Sequence, residues 1–187
     1  MASLPAPPLA PDAAPWNLPA APYALICHVA VFMHWSYMPK RILVSACLLG
    51  ECVRYDGGHK RAAFLTATLD PLVKWVRVCP EVDCGLPVPR EPMRLVGDPE
   101  DPRLVTNNTG IDHTERMERW ANARLDELAG LDLSGYVCKK DSPSCGMVPA
   151  GIFTRKFIGR FPRLPVEEEG RLADPALCGE FIRRIKA

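Results

Sequence analysis

The chain has eight cysteines but no Cys-x-x-Cys pair, which disfavours a zinc knuckle and a thioredoxin-type redox pair. It also lacks a strong charge of one sign, and its net charge of +1 neither requires nor excludes a nucleic-acid partner. It has no internal repeat. No convincing secretory peptide indicates the oxidising compartment that disulfides need. Reduced thiols in a cytoplasmic protein are therefore the better interpretation.

The first 37 residues differ in composition from the rest. Residues 1–22 consist mostly of Ala and Pro with almost no charge, a composition that cannot bury a core, so we expect disorder there. The apolar run at 24–32 is far shorter than the roughly 20 residues of a membrane helix, and no basic region precedes it. We interpret residues 1–37 as an Ala- and Pro-rich leader produced by an upstream start codon, and we expect no membrane anchor. The remaining residues 38–187 suit one domain.

Predicted strands and helices alternate along residues 38–187. Apolar runs predict strands at 42–46, 75–79 and 136–139. Helical spacing or helix-start signals predict helices at 60–69, from about 114 to 130, at 152–161 and at 176–185. Between them, 93–96 and 104–106 are expected to pair as short edge strands, while 164–175 is predicted to be a loop. This alternation favours an α/β fold, a three-layer Rossmann-like domain with a mainly parallel sheet.

Three cysteines lie just beyond the predicted ends of strands: Cys47, Cys79 and Cys145. In an open α/β sheet the carboxyl ends of the strands meet at a crevice that usually binds ligands, so we expect these thiols to converge. Three soft thiolates favour a metal or iron–sulfur centre with one coordination position open for chemistry. The alternative is that each cysteine is a small buried hydrophobic residue.

Polar residues close to these cysteines are candidates for catalysis and substrate binding. Glu81 follows Cys79 by two residues and suits general acid/base chemistry, although a solvated loop carboxylate is the alternative. Ser142 and Ser144 come just before Cys145, where serines more often make local turn hydrogen bonds. Four further loop residues either reach the substrate or are simply solvated: Arg54, Tyr55, Asp56 and Arg90.

Five short motifs occur in a fixed order. They are Ser45-Ala-Cys-Leu-Leu-Gly50, Arg54-Tyr-Asp-Gly57, Cys79-Pro-Glu81, Gly85-Leu-Pro-Val-Pro-Arg90 and Ser142-Pro-Ser-Cys-Gly146. Together they resemble the TudS-like family of thiouracil desulfidases, over residues 39 to about 185. Three further segments, at 90–96, 109–112 and 164–172, are similar to the branch usually fused to a C-terminal YbgA-like domain, whose members remove sulfur from 4-thiouridine in tRNA.

The resemblance implies a cofactor, a reaction and roles for five of these residues. It implies a 4Fe-4S cluster held by Cys47, Cys79 and Cys145, with the fourth iron free to take the thiocarbonyl sulfur of the substrate. Glu81 is then the acid/base residue, and Ser142 positions substrate or water. The implied reaction is a hydrolytic removal of sulfur from 2- or 4-thiouracil, or from 4-thiouridine in tRNA, without an electron donor.

Two alternatives to this function stay open. Only four residues separate Gly146 from Gly151, where the family carries a further strand, and no YbgA-like partner domain follows in the sequence. A non-catalytic or degenerate paralogue that binds a cluster or metal is therefore the alternative, and a structural zinc protein is a weaker one. The expected partner is a small thiolated pyrimidine or tRNA, with no DNA and no membrane. The pair Lys139 and Lys140 suits contact with RNA phosphates or an ordinary solvated face.

Overall fold

The computed structural model describes residues 39–187, and the predictions for residues 1–37 lie outside this range. In chain order the helices and strands are β1 (Lys40–Ser45), α1 (Ala63–Leu69), β2 (Val73–Val78), α2 (Pro80–Asp83), β3 (Met93–Asp98), β4 (Asp101–Thr106), α3 (Thr114–Ala129), β5 (Leu133–Cys138), α4 (Ile152–Arg160), β6 (Val166–Glu168) and α5 (Pro175–Lys186). Two 3-10 turns, Ala46–Leu49 and Arg171–Ala173, complete the described secondary structure.

A four-stranded sheet in the order β2-β1-β5-β6 forms the centre of the described unit. All three pairings in it are parallel, because α1 links β1 to β2, α3 precedes β5, and α4 links β5 to β6. In β1, Ile42 pairs with Trp75 of β2 on one side and with Gly135 of β5 on the other. The prediction of an α/β fold with a mainly parallel sheet is confirmed.

The central strand β1 shows why helices cover both faces of the sheet. Ile42, Leu43 and Val44 are all fully buried, which is typical of a parallel strand enclosed on both sides. Ile42 and Val44 pack with residues of α1 and α5, including Leu69 and Phe181. Leu43 points to the opposite face and packs with residues of α3 and α4. The result is the three-layer arrangement that the sequence predicts.

The edge strands β3 and β4 form a separate antiparallel hairpin, as the sequence predicts. Its register pairs Met93 with Thr106 and Asp98 with Asp101, so the turn between the strands is very short. The buried Leu104 of β4 packs with Met117 of α3, which fixes the hairpin against the main body. This contact leaves Met93 on the wall of the cavity described below.

The segment 164–175, predicted to be a loop, contains β6 and a 3-10 turn, so this prediction is wrong. The strand is only three residues long, and its Val-Glu-Glu sequence carries neither alternation nor an apolar run. It forms because β5 offers a free edge, to which Val166 pairs opposite Tyr136 and Glu168 opposite Cys138. The structure thus supplies a fourth parallel strand after the short Gly146–Gly151 link.

None of the helices between residues 39 and 187 combines the length and the apolarity needed to cross a bilayer.

Candidate metal centre and active site

A cavity of about 400 Å³ opens at the carboxyl edge of the sheet. It lies where the backbone leaves β1, β2 and β5, the position at which open α/β sheets usually bind ligands. Cys47, Cys79 and Cys145 all line it, so the structure brings together the three thiols that the sequence singles out. Its volume is in the range of about 300–1,000 Å³ that small-molecule sites occupy.

Cys47 lies in the 3-10 turn that follows β1. This turn ends at Gly50, whose φ of +98° is a left-handed conformation that favours glycine. The N–H groups of Gly50 and Lys60 both donate to the Cys47 carbonyl oxygen, at 3.3 and 3.0 Å, and these bonds fix the residue. Burial, followed by the neighbouring thiols of Cys145 and Cys79, raises the pKa of Cys47 to about 12. The free thiol therefore keeps its proton at neutral pH.

Cys79 follows β2 directly and precedes Pro80, the first residue of α2. Proline suits this position because an N–H group at the first helical position has no acceptor within the helix, so its absence costs no hydrogen bond. The Cys79 N–H donates to Asp83 Oδ2 at 3.0 Å, and its Sγ lies 3.7 Å from the Val53 carbonyl oxygen. Burial is the main cause that raises the pKa of Cys79 to about 12, and the charge of Glu81 acts in the same direction.

Cys145 lies in a tightly folded loop between β5 and α4. A Cβ atom on Gly146 would stand 2.7 Å from the Ser142 carbonyl oxygen, and one on Gly151 would stand 2.4 Å from the Ser144 carbonyl carbon. Side chains cannot occupy either place without moving the backbone, so glycine at both positions permits the fold of the loop. The loop thus presents Cys145 from a rigid support.

The Cys145 thiol is surrounded by hydroxyl groups. The thiol donates to Ser142 Oγ at 3.2 Å, and Ser45 Oγ donates to Cys145 Sγ at 3.3 Å. Ser142 Oγ also accepts the Cys145 N–H at 3.2 Å. Burial raises the pKa of Cys145, while the hydrogen bonds to Ser142 and Ser45 lower it. These hydroxyls are the groups that would stabilise a thiolate at this position.

The donor set fits an iron–sulfur cluster better than a single ion. All seven cysteines of residues 39–187 are free thiols, and the three on the cavity are close enough to influence one another's ionisation. In the same part of the chain, no group of three or more His, Cys, Asp or Glu side chains is placed to hold a metal ion. Structural zinc sites gather four ligands around one atom, whereas three cysteines line this cavity. Soft thiolates spaced around one cavity suit a cluster of several irons.

Glu81 forms the polar centre of the cavity wall. Its Oε1 accepts a hydrogen bond from Ser144 Oγ at 2.6 Å, and its Oε2 accepts one from Arg90 Nε at 2.7 Å. The Arg90 side chain is 6% exposed and that of Glu81 is 12% exposed, so this ion pair is nearly buried. Arg90 Nη2 also donates to the Val53 carbonyl oxygen at 2.9 Å, which anchors the guanidinium. Glu81 is thus held in one orientation beside Cys79 with its charge balanced.

Ser142 links Glu81 to Cys145. Its Oγ lies 3.1 Å from Ser144 Oγ, whose hydroxyl in turn donates to Glu81. A continuous chain of hydrogen bonds therefore runs from the carboxylate through two serines to the Cys145 thiol. Both serines line the cavity, where a catalytic or substrate-binding role would require them.

Of the predicted substrate contacts, Asp56 alone does not lie on the cavity wall, which includes Arg54, Tyr55, Arg90 and Ser144. The Arg54 guanidinium stands 5.3 Å from the centre of the Tyr55 ring, and Tyr55 is 41% exposed. Asp56 instead accepts hydrogen bonds from Arg54 and from the Gly58 N–H. The ion pair between Arg54 Nη2 and Asp56 Oδ2, at 3.2 Å, holds Arg54 in place.

Three lysines and one serine complete the site. The sequence predicts contact with RNA phosphates, or an ordinary solvated face, for Lys139 and Lys140, and no role for Lys60 or Ser45. Lys60, Lys139 and Lys140 line the cavity, and Lys139 Nζ forms a nearly buried ion pair with Glu169 at 2.9 Å. Lys139 and Lys140 follow β5 directly, so the strand-end argument used for the cysteines would have found them. Ser45 ends β1, and its contact with Cys145 depends on the pairing of β1 with β5.

Comparisons with known proteins agree with this arrangement. A family model described as 2-thiouracil desulfurase matches residues 42–169. The uncharacterized protein YbbK of Bacillus subtilis (strain 168) is 33% identical over 124 residues, which cover 63% of this chain and 82% of that protein. A solved structure described as a 4Fe-4S-dependent thiouracil desulfidase, TudS, matches with a TM-score of 0.60 and 32% identity, covering 75% of this chain and 98% of that one.

Proposed function

The chain belongs to the 2-thiouracil desulfurase family, and we propose that it is an iron–sulfur-dependent desulfidase acting on a thiolated pyrimidine. The observation that carries the proposal is the convergence of three free thiols on the cavity wall that also holds Glu81. The 4Fe-4S dependence of the similar TudS structure supports the same cofactor here. Desulfidases need both a soft centre for sulfur and a group that handles protons, and this wall carries candidates for both.

In this proposal Cys47, Cys79 and Cys145 hold a 4Fe-4S cluster. When bound, the cluster would supply a Lewis-acidic iron with an open position for the thiocarbonyl sulfur. The three thiols are protonated in the free protein, so their use as ligands releases protons and makes cluster uptake favour higher pH.

The chain's own residues then handle water and protons. Glu81 is paired with Arg90 and retains free lone pairs, so it can accept a proton from a water that approaches the pyrimidine carbon. The hydrogen bonds from Ser144 and Arg90 hold its carboxylate in position throughout. In the net reaction water supplies the new carbonyl oxygen, the carbon–sulfur bond breaks, and sulfur leaves as hydrogen sulfide with both protons. No electrons are transferred.

Arg54 and Tyr55 are the residues of the cavity wall that suit substrate binding. The half-exposed Tyr55 ring offers a face on which a planar base can stack, and Arg54 beside it offers hydrogen-bond donors to carbonyl oxygens. We propose a free thiouracil or 4-thiouridine in tRNA as substrate. The latter accords with the similarity to the branch fused to a YbgA-like domain. We further propose that residues 38–187 carry the activity, in the reducing setting of the cytoplasm, where the free thiols would persist.

The test uses the full chain, purified without oxygen and reconstituted with iron and sulfide. We expect about four irons per chain, a broad absorption near 400 nm, and release of hydrogen sulfide from 2-thiouracil, 4-thiouracil or thiolated tRNA. Cys47→Ser, Cys79→Ser and Cys145→Ser should each lose cluster and activity. Cys178→Ser is the matched control, because Cys178 is also buried but does not line the cavity.

A different experimental result would contradict each part of the proposal. Cluster uptake that is indifferent to the three substitutions contradicts the ligand assignment. A stable cluster without sulfide release from any of the substrates supports the alternative, a non-catalytic or degenerate cluster-binding paralogue. A chain that starts at Met38 should retain full activity, and its failure would contradict the assignment of function to residues 38–187.

A further inference from the structure

Lys139 is a cation of the cavity wall that is nearly closed to solvent. Its side chain is 14% exposed and lines the same cavity as the three cysteines. Its Nζ forms an ion pair with Glu169 Oε1 at 2.9 Å and donates to the Lys140 carbonyl oxygen. An ammonium group has three N–H donors, so one N–H remains without an acceptor among residues 39–187. This third donor is available to a molecule in the cavity.

The other cations of the cavity wall are either engaged or exposed. Arg90 gives its guanidinium nitrogens to Glu81 and to two backbone carbonyl oxygens. Arg54 donates from Nε and Nη2 to a neighbouring carboxylate. The two other lysines, Lys60 and Lys140, are exposed, so water competes for their N–H groups. The nearly buried lysine is therefore the cation of this wall best suited to one specific hydrogen bond.

Both the main chain and the side chain of Lys139 are held in place. The Lys139 N–H donates to Ser45 Oγ at 3.0 Å, and the same hydroxyl donates to Cys145 Sγ at 3.3 Å. Glu169 Oε2 accepts the N–H of the next residue at 2.6 Å, so the carboxylate that pairs with the ammonium also anchors the backbone beside it. A donor that is fixed before the ligand arrives loses little entropy on binding.

The strand order places Lys139 and Glu81 on opposite sides of Cys47. In the order β2-β1-β5, Glu81 comes shortly after β2, Cys47 after β1 and Lys139 directly after β5. All three residues line the cavity. A ring whose sulfur lies at the cysteines therefore has a carboxylate on one flank and an ammonium on the other.

Thiolated pyrimidines carry an acceptor that matches this donor. In 2-thiouracil the sulfur is bound to C2 and the oxygen to C4, and in 4-thiouracil the two are exchanged. In both isomers the thiocarbonyl and the carbonyl lie on either side of N3, so one donor can serve either isomer once the ring is turned over. Glu169 already balances the charge of Lys139, and this neutral pair suits a carbonyl oxygen better than a phosphate.

We propose that the Lys139 ammonium donates a hydrogen bond to the substrate carbonyl oxygen that lies across N3 from the thiocarbonyl, and that Lys139 thereby determines which thiolated rings the site accepts. This inference rests on the proposed function and names the part of the substrate that the cavity recognises. A ring with the thiocarbonyl but without that carbonyl would lose the hydrogen bond. A hydrogen bond to a charged group changes affinity by a factor on the order of ten to one hundred.

The test combines removal of the lysine with removal of the carbonyl. Its substrates are 2-thiouracil and pyrimidine-2-thione, which lacks the carbonyl, and its proteins are the reconstituted full chain and Lys139→Met. The preference in kcat/KM for 2-thiouracil should fall by about tenfold or more in the variant. The different reactivities of the two substrates cancel in this comparison. Calorimetric titration with the products, uracil and pyrimidin-2-one, should show the same fall in the ratio of the two Kd values without turnover.

Two further variants control for stability and for loss of a lysine elsewhere. Lys139→Met leaves the Glu169 carboxylate without its cation, so a double variant that also carries Glu169→Gln removes both charges and should show the same loss of preference. Lys156→Met is the matched control. Lys156 is also ion-paired, to Glu118 at 3.2 Å, but does not line the cavity, so this variant should prefer 2-thiouracil as the wild type does.

The outcomes separate this inference from the proposed function. A wild-type preference in Lys139→Met overturns the inference alone, and so does a wild-type preference in the double variant if the single variant does not fold. Loss of the preference in Arg54→Met with its retention in Lys139→Met assigns the carbonyl to Arg54 and overturns the inference as well. A wild-type chain that takes up the cluster but releases no sulfide contradicts the proposed function, and the titrations with uracil and pyrimidin-2-one still decide the inference.

Discussion

Removal of Arg90 should destabilise the protein far more than removal of an exposed arginine at the same cavity. The Arg90–Glu81 pair is almost closed to solvent, with side-chain exposures of 6% and 12%. An Arg90→Met variant keeps an apolar stem of similar length but leaves the Glu81 carboxylate without its cation. Ser144 Oγ would then be the one remaining side-chain donor to that carboxylate among its present contacts.

The magnitude follows from the burial of the pair. Loss of one partner from a fully buried ion pair costs about 3–5 kcal/mol, because an uncompensated charge stays behind. Both side chains line a water-accessible cavity, so we take the lower end and expect about 3 kcal/mol for Arg90→Met. Glu81→Gln should cost about 2 kcal/mol, since the amide can still accept from Ser144. The double variant should be more stable than the sum of the single effects predicts, by about 2 kcal/mol.

Urea unfolding of the four proteins measures this coupling, with all chains free of iron so that cluster binding does not contribute. The matched control is the Arg54–Asp56 pair, of which Arg54 lines the same cavity and whose side chains are 25% and 45% exposed. An Arg54→Met and Asp56→Asn cycle should show coupling close to zero, because solvent screens the exposed pair. A coupling below about 0.5 kcal/mol for Arg90 and Glu81 would refute the argument from burial.

Three further predictions concern the loop, the thiols and acid stability. Gly151→Ala should lower the free energy of unfolding by more than about 2 kcal/mol, because its Cβ would stand 2.4 Å from the Ser144 backbone. Gly159→Ala is the control, since no atom lies within 4 Å of its Cβ, and it should be neutral or stabilising in urea unfolding. Equal effects of the two substitutions would contradict the prediction. Because the folded pKa of Cys47 and of Cys79 is raised to about 12, their contribution to the stability of the iron-free chain is complete below pH 9 and lost as the pH rises toward 12. A double Ser variant should therefore resist alkaline unfolding better, and an identical pH profile would contradict the burial of these thiols. Hydrogen bonds from Thr114 and the Arg103 guanidinium lower the pKa of Asp112 to about 2. Asp112→Asn should therefore destabilise the protein by no more than about 1 kcal/mol above pH 4, and this loss of stability should vanish as the pH falls to 2. A loss of stability that stays constant with pH would contradict the lowered pKa.

The long helix α3 was the most predictable element of the fold. The helix α3 buries Met117, Ala121, Leu125 and Leu128, which are the apolar positions of one helical face, and Gly130 follows its end. Such spacing is a local property of the chain and can be read directly. β6 could not be predicted, because its Val-Glu-Glu segment becomes a strand through pairing with β5 and not through its own preference.

The candidate site also contains residues that the sequence pattern places and one that only packing places. Cys47 and Cys79 follow strands β1 and β2 directly, so the rule that parallel strands end at one edge was sufficient to bring them together. Cys145 lies seven residues beyond β5 and reaches the cavity because Gly146 and Gly151 let the loop fold back on itself. That return is a consequence of packing, which the linear order of residues does not specify.

The sequence by itself determined the α/β alternation, the three cysteines and the resemblance to a desulfidase family, because these depend on local patterns and on residue identity. The tertiary structure decided which groups touch. It joined Glu81 to Arg90 and Ser144, and it placed Asp56 off the cavity wall. Contacts between distant segments depend on strand register and loop closure, and those are fixed only when the whole domain packs.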